Sequence, residues 1–145
     1  MREILIADDH PLFRDALKRA LAQAVPEAVL FEADSVPALQ GLVEAHADAE
    51  LLLLDLHMPG ASGFSTLAYL RGQHPGLPVV VVSAQEEPAV IRRAIAHGAS
   101  GYIPKSASAR RCAPRRWPRR HRARHSCWRG AAAARRRRRE YAAPP

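Results

Sequence analysis

Cysteine is scarce: the 145 residues hold two, Cys112 and Cys127, both late in the chain. That count argues against a small secreted domain built on disulfides. Long apolar runs are also missing. The longest, Leu51–Leu54 and Val79–Val82, have strand length and fall well short of the ~18–20 residues of a membrane span. No extended apolar region leads to a cleavage site after Met1-Arg2-Glu3, so no signal peptide is expected and the cytoplasm is the default location. Positive charge is sparse over most of the chain. Residues 1–106 hold 8 Lys/Arg against 13 Asp/Glu, net −5, whereas residues 107–145 hold 14 Arg against the single acid Glu140, net +13. The overall charge of +8 therefore belongs to the tail, and the chain divides into a mildly acidic domain, 1–106, and a basic appendage, 107–145.

Within the domain, short apolar runs alternate with amphipathic stretches. Glu3–Ala7 reads as a buried strand, and Pro11 then sits where a first helical turn tolerates it. Leu12, Phe13, Ala16, Leu17, Ala20, Leu21 and Val25 recur at helical spacing, which predicts a helix over 11–25 with one apolar face, stopped by Pro26. Val29–Ala33 is a second strand. Ser35 caps a helix running to about His46, with Pro37 near its first turn. Leu51–Leu54 is a third strand, followed by the loop 58–63 and a helix from about Phe64 to His74. Val79–Ser83 is a fourth strand. The next helix spans 87–97, with Val90, Ile91, Ala94 and Ile95 inward and Gly98 as its C-terminal cap. Gly101–Ile103 is a short fifth strand. Continuous apolar strands alternating with helices imply a parallel sheet covered on both faces, and right-handed crossovers make it a doubly wound α/β fold.

In such a fold, ligands bind outside the carboxyl ends of the strands. Polar groups gather there: Asp8-Asp9 after strand 1, Asp55 after strand 3, Ser83 at the end of strand 4 and Lys105 after strand 5. Clustered carboxylates repel one another and call for a cation. Mg²⁺ suits one or two carboxylates, a carbonyl, waters and a phosphate oxygen. A carboxylate can also attack phosphorus to form an acyl phosphate, with a metal and a lysine neutralising charge on the transferring group. Taken singly, an Asp-Asp pair is a helix cap, a lysine is solvated and a serine is a cap. Their conjunction at one sheet edge makes a phosphoryl-acceptor site.

The segments Ile4-Leu5-Ile6-Ala7-Asp8-Asp9-His10, Leu53-Leu54-Asp55-Leu56-His57-Met58-Pro59-Gly60, Val81-Val82-Ser83-Ala84 and Gly98-Ala99-Ser100-Gly101-Tyr102-Ile103-Pro104-Lys105 resemble the receiver domain of two-component response regulators. The resemblance covers 2–106 with the motifs in order, and it is greatest to the branch carrying a LuxR-type helix-turn-helix output domain, which is absent here. It implies a flavodoxin-like five-stranded fold with Asp55 as phosphoacceptor. It further implies a metal site for Mg²⁺ (or Mn²⁺) made of Asp8, Asp9, Asp55 and the backbone carbonyl of His57. Ser83 would follow the phosphoryl group, Tyr102 would swing inward in response, and Lys105 would pair with phosphoryl oxygens. The implied partners are a sensor histidine kinase and a second copy through the helix 4–strand 5 face, with no membrane. Many receivers place a cis proline after the lysine, whereas here Ser106 follows it.

Two rival readings, an aspartyl-nucleophile phosphatase or mutase and a nucleotide-binding protein, fit less well. Haloacid dehalogenase-like phosphatases keep the nucleophile on strand 1 in an Asp-x-Asp pattern that Asp8-Asp9-His10 lacks, and no glycine-rich nucleotide loop occurs. A regulator rather than an enzyme is expected.

After Ser106 the pattern breaks where a fifth amphipathic helix should begin. Prolines interrupt any helix by residue 118, and residues 107–145 contain no Leu, Ile, Val or Phe, so the tail should be disordered and the last helix lacks support. Three readings compete for it. The arginines bind phosphates, with Trp117 and Trp128 stacking on bases. Cys112, His121, His125 and Cys127 bind zinc, although no common ligand spacing is present. Or the segment is a frame-shifted translation of a GC-rich gene, which its Arg, Ala, Pro and Gly content favours. Whatever its origin, the tail offers no rigid element to read base edges. DNA binding should therefore be measurable at low salt, nearly equal across unrelated duplexes, and lost on truncation after Ser106. A strong preference for one operator at physiological salt, read by titration, would overturn this.

Overall fold

The computed structural model describes residues 2–106. Its elements in chain order are β1 (Arg2–Ala7), α1 (Pro11–Ala24), β2 (Ala28–Ala33), α2 (Val36–Ala45), β3 (Leu51–Leu54), α3 (Ser65–Gln73), β4 (Val79–Ser83), α4 (Pro88–Ala96) and β5 (Gly101–Pro104). The strands form one parallel sheet in the order β2-β1-β3-β4-β5, the expected doubly wound, flavodoxin-like arrangement. Boundaries differ from the sequence reading by a residue or two, as helix ends commonly do. Lys105 and Ser106 take helical backbone after β5. The expectations for the fifth helix and for the tail lie outside the described residues.

The central strands are apolar throughout because both their faces are covered. All four residues of β3 and all five of β4 are buried. Alternate side chains serve opposite cores. Leu5, Leu52, Leu54, Val79 and Val81 pack with Leu39, Val43, Leu67, Leu70 and Ala94 of α2, α3 and α4. Ile4, Ile6, Leu51, Leu53, Val80 and Val82 pack with Leu17 and Leu21 of α1. Each such Leu, Ile or Val side chain contributes on the order of 1.5–3 kcal/mol by leaving water.

Local signals at the helix ends hold. The Ser35 hydroxyl accepts from the Ala38 N–H at 3.3 Å, and prolines occupy the first turns of α1, α2 and α4. Two helix-face assignments need correction. Leu12 is 86% exposed and Ile95 48% exposed, although the apolar spacing placed both inward. Each turn of about 100° per residue carries the next side chain off the stripe. The α1 stripe runs through Phe13, Leu17 and Leu21, leaving Leu12 outside it, and the α4 stripe through Val90, Ile91 and Ala94, leaving Ile95 at the edge. Among the described residues every peptide bond is trans, including the one joining Lys105 to Ser106.

The turn from α4 into β5 depends on Gly98, whose φ of +97° suits glycine. An added Cβ would lie 3.0 Å from Arg71 Cγ and 3.1 Å from its Nε. Arg71 is not free to move, since it donates to the carbonyls of Leu77 at 2.7 Å and Pro75 at 2.9 Å. Gly98→Ala should therefore cost ~1–3 kcal/mol in urea unfolding through backbone strain and displacement of Arg71. In the Arg71→Ala background the steric part of that cost should disappear. A cost equal in both backgrounds would show that Arg71 is not the obstacle.

Candidate functional site

Register decides which residues meet. Ala7 pairs with Leu54 across β1 and β3, so the next residues, Asp8 and Asp55, leave neighbouring strands side by side. The Asp55 N–H donates to the Ala7 carbonyl at 2.8 Å, and the Asp8 N–H to the Ala33 carbonyl at 3.0 Å. Both carboxylates are buried at 1% exposure. They flank the point where the strand order reverses, the crevice in which open α/β sheets bind ligands.

Lys105 arrives from β5 and places its Nζ 2.9 Å from Asp8 Oδ2 and 3.1 Å from Asp55 Oδ2. Phe13 of α1 lies beneath that ammonium, its ring centre 4.7 Å from Nζ. Arg14, held by Glu32 at 3.2 Å, donates to the Asp8 carbonyl at 2.6 Å. Asp55 Oδ1 accepts from the His57 N–H at 3.0 Å, which brings the first residues of the following loop to the rim. Ser83 is fully buried at the end of β4, and its Oγ accepts from the Gln85 N–H at 3.2 Å. The Tyr102 ring is buried on the α2–α3–α4 side of the sheet, and its hydroxyl donates to the Gln85 carbonyl at 2.7 Å. It thus already occupies the inward position, and Gln85 links it to Ser83.

All five polar groups expected at the sheet edge are therefore at the carboxyl ends of the strands, and Asp8, Asp9 and Asp55 fall into one cluster. The sequence left His10 without a role, yet its ring joins that cluster: candidate ligand atoms of Asp8, Asp9, His10 and Asp55 lie within 4.8 Å of one another. The histidine following a paired aspartate at a strand end was the available signal. Ionised oxygens at that separation repel by ~3 kcal/mol per pair at an effective dielectric of about 20, and Lys105 offsets only part of this. Asp8 Oδ2 and Asp9 Oδ1 are buried and accept no well-directed hydrogen bond. Asp8 Oδ2 nevertheless has the ammonium 2.9 Å away. Hard oxygens with lone pairs to spare fit a divalent cation.

Comparison with known proteins gives this geometry a family. Residues 4–113 match the response regulator receiver domain. The chain belongs to that family. The glycerol metabolism activator of Pseudomonas putida is 43% identical over 106 residues, which cover 73% of this chain and 48% of that protein. The chain thus spans about half the length of the curated relatives it matches. The solved signal receiver domain of NarL from Mycobacterium tuberculosis superposes with a TM-score of 0.64 at 32% identity, covering 79% of this chain and 98% of that one. A LuxR family DNA-binding response regulator from Silicibacter pomeroyi gives 0.63 at 33% identity, over 74% and 81% of the two chains. Receiver domains bind Mg²⁺ at an acidic pocket, and their family is one of regulators rather than enzymes. No helix among the described residues is long and apolar enough to cross a membrane.

Removing the shared cation should be costly. Lys105→Met leaves two buried carboxylates without their ammonium and should lower stability by about 3 kcal/mol at neutral pH in the absence of divalent ions. Urea midpoints measure this, and a loss below ~1 kcal/mol would mean that solvent already screens the pair.

Proposed function

We propose that this receiver accepts a phosphoryl group on Asp55 from a sensor histidine kinase and changes conformation to control output, transcription in its relatives. The receiver would comprise residues 1–106. The observation that carries the reading is the buried Asp55 carboxylate with Lys105 Nζ 3.1 Å from one oxygen and the His57 N–H 3.0 Å from the other. Both contacts hold the carboxylate rotamer, so the attacking oxygen needs little reorientation. In the transfer, an Asp55 oxygen bonds to phosphorus as the bond from phosphorus to the donor nitrogen breaks, and the electron pair departs with the donor imidazole. Lys105 then faces an acyl phosphate and neutralises part of its charge.

A Mg²⁺ or Mn²⁺ ion held by Asp8, Asp9, Asp55 and the His57 carbonyl would supply Lewis-acid stabilisation of the phosphoryl oxygens. Ser83 would give up its bond from the Gln85 N–H and turn its hydroxyl toward the phosphoryl group. Because Gln85 also accepts from Tyr102, the movement would be felt at β5 and α4, a surface suited to a second copy of the chain. A local charge would thus bias a two-state element. DNA would be held by the tail only without sequence preference, and the protein would work in the cytoplasm.

With Mg²⁺ and a small phosphodonor, the intact mass should rise by one phosphoryl group, labile to hydroxylamine. Asp55→Asn should abolish the adduct in a protein that still unfolds cooperatively; an unchanged adduct in this variant would falsify the assignment. Ser83→Ala should still be phosphorylated while the spectroscopic response of Tyr102 diminishes. Equal Tyr102 responses in both proteins would separate the switch from Ser83.

A further inference from the structure

His10 is tied to the cluster by backbone and ring alike. Its N–H donates to Asp8 Oδ1 at 2.7 Å, and the next residue, Pro11, begins α1, so the residue's place at the crevice mouth is set by the helix start. Its Nδ1 lies 2.9 Å from Asp9 Oδ1, 3.0 Å from Asp8 Oδ1 and 3.6 Å from Asp55 Oδ2. The same atom lies 3.2 Å from Lys105 Nζ. These contacts conflict. A proton on Nδ1 suits the oxygens and opposes the ammonium, whereas a bare Nδ1 suits the ammonium and turns a lone pair toward the oxygens. A divalent cation between Nδ1 and the oxygens removes the conflict once the Lys105 ammonium has moved off Nδ1 along its flexible stem. Ligand atoms ~2.1 Å from one ion at right angles stand about 3.0 Å apart, which matches the separations to Asp8 and Asp9. Asp9 Oδ1, although so close to Nδ1, is buried and accepts no well-directed hydrogen bond, nor does Asp8 Oδ2, which has only the Lys105 ammonium 2.9 Å away.

We propose that His10 is a ligand of the ion bound by this receiver, and that its imidazole shifts the site's preference from Mg²⁺ toward Mn²⁺ and the later divalent metals. This rests on the metal reading given above. Mg²⁺ keeps oxygen ligands and waters, whereas imidazole is a good ligand for the transition ions. With His10 in the shell, such an ion gains a bond that Mg²⁺ gains little from.

The test uses the full chain and Mn²⁺ itself. Electron spin-echo spectroscopy of bound Mn²⁺ should show a directly coordinated ¹⁴N in the wild-type protein, absent in His10→Ala. The ratio of Mn²⁺ to Mg²⁺ affinity, from competition titrations, should fall ~tenfold or more, the scale on which metal sites respond to altered ligand surroundings. His10→Asn retains a residue favoured at a helix start and should behave as the alanine variant does, even if that protein folds poorly. Mn²⁺ bound without ¹⁴N coupling, but lost in Asp9→Asn, would overturn the role of His10 and leave the metal site standing. Nitrogen coupling that survives in both His10 variants would also overturn it, by tracing the signal to another imidazole. Mn²⁺ binding that is absent, or indifferent to Asp9→Asn, would remove the metal reading and this inference together.

Discussion

Asp8 and Asp55 leave adjacent strands with 1% of their surface exposed, and one ammonium reaches an oxygen of each. Charges so far from water persist only where a counter-charge is built in, and much of the domain can be understood as holding that counter-charge. β1 and β3 must be parallel neighbours for the carboxylates to meet. β5 must end at the same edge for Lys105 to arrive. The start of α1 supplies Phe13 beneath the ammonium and Arg14 on the Asp8 carbonyl. Because the carboxylates are set by backbone pairing and the lysine by a flexible stem, the cation is the adjustable partner. It can shift while the carboxylates stay in place.

The fold was legible because its evidence is local. Uninterrupted runs such as Leu51–Leu54 and Val79–Val82 announce strands covered on both faces, and Ser35, Pro11 and Gly98 mark helix ends through the backbone groups they satisfy or conformations they permit. The edge residues were legible for a related reason: a polar residue that ends an apolar strand stands at a place the topology defines. What escaped depends on side-chain direction. Leu12 and Ile95 share the apolar spacing of their helices, yet lie one residue's rotation from the packed stripe. His10, one residue past the paired aspartates, joins them only because its ring turns back over Asp8 and Asp9. The inward ring of Tyr102 and the seating of Lys105 on Phe13 likewise depend on tertiary packing that spacing does not encode.

The β4 side of the site is built differently from the β1–β3 side. There the link outward consists of two hydrogen bonds in series, from the Gln85 N–H to Ser83 Oγ and from the Tyr102 hydroxyl to the Gln85 carbonyl. Both use the backbone of a single loop residue, so the side chain at 85 can vary while the link remains. Each bond carries on the order of 1 kcal/mol net, far less than the burial of the strands it adjoins. Arg71 braces the α3–β4 connection, at the opposite end of β4, through the carbonyls of Leu77 and Pro75.

Lys105 meets Asp55 across 50 residues and His10 across 95. A ribosome adding roughly 5–20 residues per second therefore exposes the paired Asp8 and Asp55 carboxylates for roughly 2.5–10 s before their lysine exists. During synthesis the nascent strands carry an acidic cluster with no covalent counter-charge, and the sheet edge beside β4 is open until β5 joins it. Lys105 follows the last strand of the sheet, so an arrested or shortened product lacking β5 would hold Asp55 without the cation that makes its burial tolerable. Such a product would leave two carboxylates uncompensated at the sheet edge, and the sheet would be the less stable for it.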